Sequence, residues 1–287
     1  MTTETRGSTG ACVTCGAPVA GKFCAACGEK QVGPDDYHLG HFADDAIESF
    51  THADGKIFRS FWELVTRPGR VTAEFLRGRR KPYLKPLALF LVANTAFFLV
   101  LPLLGWNTLT TPLQIHLHDE AYSPVALAVF QHRFPTDQAV PPDYVREFNA
   151  HGALLAKSLV IVMVPLFALL VWVCFARARR HFVEHLVFAL HFYAIWLLYL
   201  VASLGLTNGA LRLIVAGGWH PGDLAIDNTI SLLGLGILTL FLYHAVRTVY
   251  GGSGRAAFVK SLILAVGVTQ LVQVYRCFLF FVTFWTV

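Results

Sequence analysis

The chain has 287 residues, a length that allows one large domain or two modest ones. Its residues are 55% hydrophobic and only 14% charged, whereas a soluble domain has roughly 25% charged residues. This composition excludes a single soluble globular core. The net charge of +5 is modest, so the placement of the charges along the chain is more informative than their sum.

The first ten residues are polar and lack the apolar segment of a secretory signal peptide. We expect residues 1–10 to be a disordered leader. Without a signal peptide, the 85 residues that precede the first apolar run are expected to stay in the cytosol, where thiols remain reduced.

Residues 11–30 contain two matched Cys-x-x-Cys pairs, each followed by a glycine. The four cysteines are Cys12, Cys15, Cys24 and Cys27. Two such pairs at short separation are typical of a zinc-ribbon-like site with four thiolate ligands. Iron in a rubredoxin-like site uses the same ligands, so the spacing leaves both metals open. A site closed by four thiolates has no free coordination position, so we predict a structural metal and no catalytic residue here.

Residues 31–86 are predicted to form a cytosolic or interfacial amphipathic segment that ends in a basic cluster. A short helix is expected within residues 41–50. From Ile57 to Val65 the apolar residues recur at helical spacing, which predicts either a helix on the inner leaflet or a cytosolic helix packed on the zinc module. Next to a membrane span, the basic side chains favour anionic lipid headgroups over nucleic acid. The predicted headgroup contacts are Arg77, Arg79, Arg80, Lys81 and Lys85.

Residues 87–287 are predicted to be a membrane domain, since five apolar segments approach the roughly 20 residues that a helix needs to cross a bilayer. The chain is therefore expected to be an all-α polytopic membrane protein with a small N-terminal four-cysteine module. The predicted helices cover about 87–104, 154–175, 184–206, 228–248 and 258–285, with an outer loop at 105–152.

The basic residues predict the orientation of the spans. With the N-terminus inside, the turn at 177–180 and the positions Arg247, Arg255 and Lys260 also lie inside. The outer segments 105–152 and 207–226 then carry few basic residues, as the positive-inside rule requires. We expect a multi-pass protein of the inner (plasma) membrane with a cytoplasmic N-terminus and an outer C-terminus.

Titratable side chains within a span are expensive to bury, so each one needs a physical reason. The third span carries a polar stripe, and the fourth carries a histidine at similar depth. The resulting candidate intramembrane site comprises His181, Glu184, His185, His191 and His244. The first three match H-x-x-E-H, a zinc peptidase pattern, although the neighbouring Arg179 and Arg180 disfavour a cation. The alternative is hydrogen bonding between helices or contact with lipid phosphates.

Arg276 lies near the outer end of the fifth span. We expect it either to extend its guanidinium towards the outer interface or to pair with an anion, a lipid or Asp227.

Several segments together resemble a known family. They are the Cys-x-x-Cys pairs, Arg67-Pro68-Gly69, the run from Gly78 to Pro86 with the spacing Gly-x-Arg-x-x-Tyr-x-x-Pro, and the run from Glu184 to His191. The chain resembles, from residue 12 to about 260, a bacterial membrane family known as domain of unknown function 3667. The resemblance implies an inner-membrane protein with a zinc-ribbon-like head and implies no activity.

The preferred functional hypothesis is a non-enzymatic binding, regulatory or scaffold module with structural zinc, whose head contacts a cytosolic protein partner. The alternative is a small-solute or ion transporter or channel that uses the polar stripe of the third span. A third hypothesis is an intramembrane metal-dependent hydrolase that uses Glu184.

Overall fold

The computed structural model describes residues 10–31, 33, 55–105, 109–135, 140–217 and 223–287, with the backbone alone for 214 and 223–228. The predicted leader, apart from Gly10, and the predicted helix within 41–50 lie outside these residues. The predicted fold class is confirmed: the structure combines five helices suited to crossing a membrane with an N-terminal cluster of four cysteines.

The N-terminal module consists of two small hairpins. Strands β1 (Gly10–Ala11) and β2 (Pro18–Val19) pair antiparallel, and an isolated bridge joins Phe23 to Lys30. Each hairpin carries one cysteine pair in its turn. The buried apolar side chains of the module are few, with Val19 packed beside the cysteines. So small a core is typical of a domain that a metal stabilises.

Two short helices precede the first span. Helix α1 (Lys56–Thr66) buries Ser60 and Leu64 but leaves the apolar side chains Phe58, Trp62 and Val65 exposed. Helix α2 (Arg70–Leu76) is mostly buried in the bundle. Because exposed aromatic and aliphatic side chains on one helix face are stable in hydrocarbon, this arrangement favours the interfacial interpretation of the segment.

Within the part of the chain that the structure describes, five apolar helical segments are long enough to cross a bilayer. The second consists of α6 (Pro142–Leu159), a 3-10 turn (Val160–Val162) and α7 (Met163–Cys174). The others are α3 (Pro86–Leu103), α8 (Phe182–Ala216), α9 (Asp223–Tyr250) and α10 (Gly254–Thr286). The third span, α8, is the most enclosed, with 61% of its most apolar window buried against 22–39% for the others. It contacts α3, α7 and both short helices, so it is the axis of the bundle.

The outer segment differs from the predicted loop at 105–152. The second span already begins at Pro142, because the polar first half of α6 continues directly into its apolar second half. The remaining segment contains two further helices, α4 (Leu113–His118) and α5 (Ser123–Arg133). Hydropathy alone cannot show a polar helical extension of a span, which explains the difference.

Helices α4 and α5 pack on the C-terminal half of α10 and form a cap, which we call the outer cap because it belongs to the segment predicted to lie outside. Their apolar side chains meet Phe148 of α6 and Phe280 of α10. Arg276 lies 2.6 Å from Glu120, whose side chain is only 4% exposed. Arg276 therefore pairs with an anionic side chain of the cap. Its pairing with Asp227 stays a prediction, because the side chain of Asp227 lies outside the described residues.

Candidate metal centre and its docking site

The two cysteine turns have the same backbone construction. In the first turn, the backbone amide of Gly16 donates a hydrogen bond to the carbonyl oxygen of Cys12 at 2.8 Å. In the second turn, the backbone amide of Gly28 donates a hydrogen bond to the carbonyl oxygen of Cys24 at 2.7 Å. Both glycines have positive φ, 76° and 73°, a conformation that residues with a Cβ rarely adopt. The glycine after each pair is thus what closes each turn and directs both sulfurs to one point.

The four sulfurs converge as a metal site requires. All four Sγ atoms lie within 4.8 Å of one another. The Sγ atoms of Cys12 and Cys27 are 3.5 Å apart, and those of Cys15 and Cys24 are 3.6 Å apart. A disulfide needs about 2.05 Å. Four sulfurs at about 2.3 Å from a tetrahedral zinc are about 3.8 Å from each other. The four cysteines could therefore hold one metal ion.

Hydrogen bonds from backbone amides favour the thiolate form of the cysteines, which is the form that binds a cation. Amide groups of Cys15 and Thr14 lower the pKa of Cys12, and the amide of Cys27 lowers the pKa of Cys24 to about 7. The amide of Glu29 also favours a thiolate at Cys27, but burial and the three neighbouring sulfurs raise the pKa of Cys27 to about 12. Four thiolates thus repel one another until a positive ion neutralises them, which is the behaviour of a metal ligand set.

Glu29 connects this centre to the rest of the chain. Its carboxylate accepts a hydrogen bond from the Thr14 hydroxyl at 2.6 Å and from the backbone amide of Lys81 at 3.0 and 3.2 Å. Glu29 is only 2% exposed. A Cβ built on Gly28 would lie 3.0 Å from Nζ of Lys81, so the lysine side chain crosses the second cysteine turn. The module is therefore docked on the basic segment before the first span.

Glu29 is not among the site residues that the sequence pattern predicts. A single carboxylate two residues after the last cysteine follows no ligand spacing, and its partner is an amide 52 residues away. The only sequence signal is that Glu29 is the single acidic residue within residues 11–30.

Glu74 organises the basic segment. It accepts hydrogen bonds from the Tyr83 hydroxyl at 2.7 Å and from Nε of Arg70 at 3.1 Å, and Arg79 lies 3.6 Å away. Burial opposes its charge, but these hydrogen bonds and arginines hold the pKa of Glu74 below its usual value. Burial and the same carboxylate raise the pKa of Tyr83 to about 12. The carboxylate and phenol thus fix the loop between α2 and α3.

The predicted headgroup residues have different surroundings. Arg77 is exposed. Arg79 pairs with Glu74, and the guanidinium of Arg80 lies 4.8 Å above the ring of Phe75. Lys81 contacts the cysteine module, and Lys85 is the N-cap residue that directly precedes α3. Most of this cluster therefore also takes part in holding the segment together.

Gly69 seats the turn between α1 and α2 on the bundle. Its φ is +83°, and a Cβ at this position would lie 2.6 Å from the carbonyl oxygen of Ala245 in α9. On the other side, the amide of Leu84 donates to the buried hydroxyl of Ser60 at 2.9 Å. Helix α1, helix α2 and the loop that follows thus form one unit against the bundle, which we call the interfacial unit (residues 55–86).

The candidate intramembrane residues occupy separate environments. His191 is 2% exposed, and its Nδ1 lies 2.9 Å from the hydroxyl of Thr72 in α2. Nδ1 of His185 lies 2.8 Å from the hydroxyl oxygen of Tyr250, and the rings of these two residues stack. Both histidines thus connect α8 to a neighbouring helix.

The other three residues lie near the end of the bundle. Glu184 is 3.0 Å from Arg180 and also accepts from the amide of His181. His181 and His244 are both exposed. Among the described residues, the four cysteines are the only group of three or more potential ligands placed to hold a metal ion.

A family match adds to this geometry. Residues 54–98 match the family model described as Protein of unknown function (DUF3667). This confirms the resemblance over the interfacial unit and the start of the first span, including Arg67-Pro68-Gly69 and the Gly78–Pro86 run. No curated protein and no solved structure matches the chain. The matched segment is thus the part of the chain on which the cysteine module is docked.

Proposed function

We propose that this protein is a non-enzymatic membrane-embedded adaptor that presents a zinc-stabilised surface to a cytosolic protein partner. The observation that carries the proposal is the Glu29 carboxylate, which joins the Thr14 hydroxyl of one cysteine turn to the Lys81 amide of the interfacial unit. Such a link gives the module a fixed orientation on the bundle. A closed thiolate site supports a structural role for its metal.

The cysteine module has apolar side chains for a partner to cover. Val13, inside the first turn, is 53% exposed, and Phe23, just before the second, is 58% exposed. Both belong to a module whose own core is small. An exposed aromatic anchor beside a rigid turn is typical of a protein-binding surface. The proposed contact surface is therefore Val13 with Phe23.

The placement of this surface in the cytosol of a cell with an inner membrane is part of the proposal. It is supported by the concentration of basic residues at one end of the spans, which favours that end for the cytoplasmic side. Zinc is the proposed metal, because reduced thiolates in the cytosol commonly form structural zinc sites.

The contacts of the polar stripe give less support to transport or hydrolysis. His185 and His191 each have a hydrogen-bonding partner on another element of the protein, at Tyr250 and Thr72. The Glu184 carboxylate pairs with Arg180. Among the described residues, it belongs to no group of three potential metal ligands. The two histidines stabilise contacts between helices, a structural role that is compatible with a membrane domain that anchors the cysteine module.

The test is photo-crosslinking of the full chain in cells. A crosslinking amino acid at position 13 or 23 should trap a defined protein, and the adduct should disappear when Cys24→Ser removes a ligand. The same probe at the exposed position 177 is the control, because Arg177 lies on the same proposed side but outside the module. Adducts that persist unchanged in Cys24→Ser would contradict the proposal.

A further inference from the structure

A groove lies between helix α1 and the bundle. It has a volume of about 470 Å³ and is lined by apolar groups and one backbone glycine. Phe58 and Phe61 of α1 form one wall, Val92 and Ala96 of α3 form the other, and Leu198 of α8 contributes to the lining. This volume is within the range of small-molecule sites, and the lining offers no side-chain hydrogen bond to a polar ligand.

The side chains at the mouth of the groove suit hydrocarbon better than water. Phe58, which lines it, is 75% exposed and stacks on Trp62, which is 60% exposed. Such aromatic side chains are stable at the level where acyl chains meet headgroups. A soluble polar ligand would gain nothing from these walls, whereas a lipid chain can enter sideways from the bilayer.

The depth of the groove matches one leaflet. On α3, Val92 and Ala96 follow the first helical residue, Pro86, by six and ten positions. At about 1.5 Å per residue these positions lie roughly 9 and 15 Å along the helix. Half of the hydrocarbon core is about 15 Å. The groove thus runs from the level of α1 towards the centre of the membrane.

Charge at the level of α1 favours an anionic headgroup. Lys56 and Arg59 directly follow Gly55 and Phe58, which line the groove, and no acidic side chain among the described residues pairs with either cation. Glu63, one turn further on, lies 3.6 Å from both Arg67 and Arg70, so its charge is already neutralised. The two cations at this end of the helix are complementary to a phosphate at the membrane surface.

We propose that the groove holds one acyl chain of an anionic phospholipid, with the lipid phosphate at Lys56 and Arg59. This site is distinct from the basic cluster at 77–85, and it does not depend on the metal centre. In this site, α1 holds the acyl chain against the first and third spans.

The test uses the purified full chain in nanodiscs that contain equal amounts of phosphatidylglycerol and phosphatidylcholine. The protein is released from the nanodiscs, and native mass spectrometry measures its mass together with any lipid that it retains. We expect one retained phosphatidylglycerol per chain. Ala96→Phe fills the groove and should weaken retention by about tenfold or more, since overpacking is costly. Leu99→Phe, on the same helix at a side chain that is 64% exposed, is the matched control and should retain the lipid.

A second pair of variants tests the headgroup. Lys56→Gln with Arg59→Gln should reduce the preference for phosphatidylglycerol to near unity, while Arg177→Gln should leave it unchanged. Thermal unfolding confirms that each variant is folded, and Ala96→Leu is the smaller filling variant should Ala96→Phe fail to fold. Retention that is unchanged in the filled variants would overturn the proposal. So would a dimer of the chain that dissociates in them, because a second copy would then be the occupant.

Discussion

Gly69 illustrates how a single residue positions the interfacial unit. It combines a left-handed backbone with an approach to the carbonyl of Ala245 that leaves no room for a side chain. A substitution there brings two separate costs, conformational strain and a collision with a neighbouring helix. The position lies within the segment that matches the family model.

We therefore expect Gly69→Ala to destabilise the protein by about 2 kcal/mol or more. Gly251→Ala is the matched control, because Gly251 has φ +70° but nothing within 4 Å of a built Cβ. Gly251→Ala should lose only the stability that the backbone strain costs, about 1 kcal/mol. Equal losses of stability in detergent-solubilised protein would show that the approach to Ala245 is unimportant.

His116 gives the outer cap a pH dependence. Burial and the guanidinium of Arg276 lower the pKa of His116 to about 4, and its Nδ1 contacts the hydroxyl of Tyr122. The folded cap therefore holds a neutral imidazole, while the unfolded cap takes up a proton below about pH 6.5. Stability is complete above that pH and is lost as the pH falls towards 4.

The free energy of opening of α4 and α5 should accordingly fall by about 2 kcal/mol when the pH is lowered from 7.5 to 5. Hydrogen exchange of their amides, corrected for the intrinsic rate, measures this change. His116→Asn should flatten the dependence, whereas His118→Asn, at an exposed position, should retain it. A wild-type cap that opens equally at both pH values would show that His116 is not the titrating group.

At the scale of elements, helix α2 is held to the third span by one buried polar contact. The Thr72 hydroxyl and Nδ1 of His191 are 2.9 Å apart, and the ring of Phe75 lies edge-on to the same imidazole. A buried polar atom that loses its partner keeps the full cost of its desolvation. The contact thus specifies how α2 sits on α8.

Thr72→Val keeps the shape of the side chain but removes the hydroxyl, so it should cost about 1–2 kcal/mol. Thr269→Val is the control, because the hydroxyl of Thr269 is exposed and bonds only within its own helix. It should stay within about 0.5 kcal/mol of the wild type. The free energy of unfolding of the two variants in detergent tests this, and a Thr72→Val protein as stable as Thr269→Val would contradict it.

The elements differ in how far the sequence could predict them. The cysteine turns and the apolar spans are local patterns, so spacing and hydropathy identify them directly. The polar half of α6 falls within the predicted outer loop because it lacks the hydropathy of a span, and its Phe148 packs against the distant Phe280. The Glu29–Lys81 and Arg276–Glu120 contacts join residues 52 and 156 positions apart, and no local pattern encodes them.

For the whole molecule, five spans require that successive turns alternate between the two sides of the membrane. Arg146 and Arg177 lie near opposite ends of the second span, one in α6 and one just after α7. The proposed orientation places Arg146 outside and Arg177 in the cytosol, in accord with the excess of basic residues on the latter side.

A membrane-impermeant maleimide should therefore label Arg146→Cys in intact cells and label Arg177→Cys only after permeabilisation. The background carries Cys174→Ala and Cys277→Ala, since these two thiols lie outside the metal cluster. The reverse pattern would place the cysteine module outside the cell and would contradict the proposed cytosolic partner.

We infer that a bound metal holds the cysteine module in its docked position on the interfacial unit. Hydrogen exchange at the Lys81 amide of the full chain, with the metal bound and after chelation, tests this. We expect slow exchange with metal, faster exchange after chelation, and equally fast exchange in metal-bound Glu29→Ala, while the amides of α8 remain unchanged. A Lys81 amide that stays equally protected after the metal is removed would contradict it.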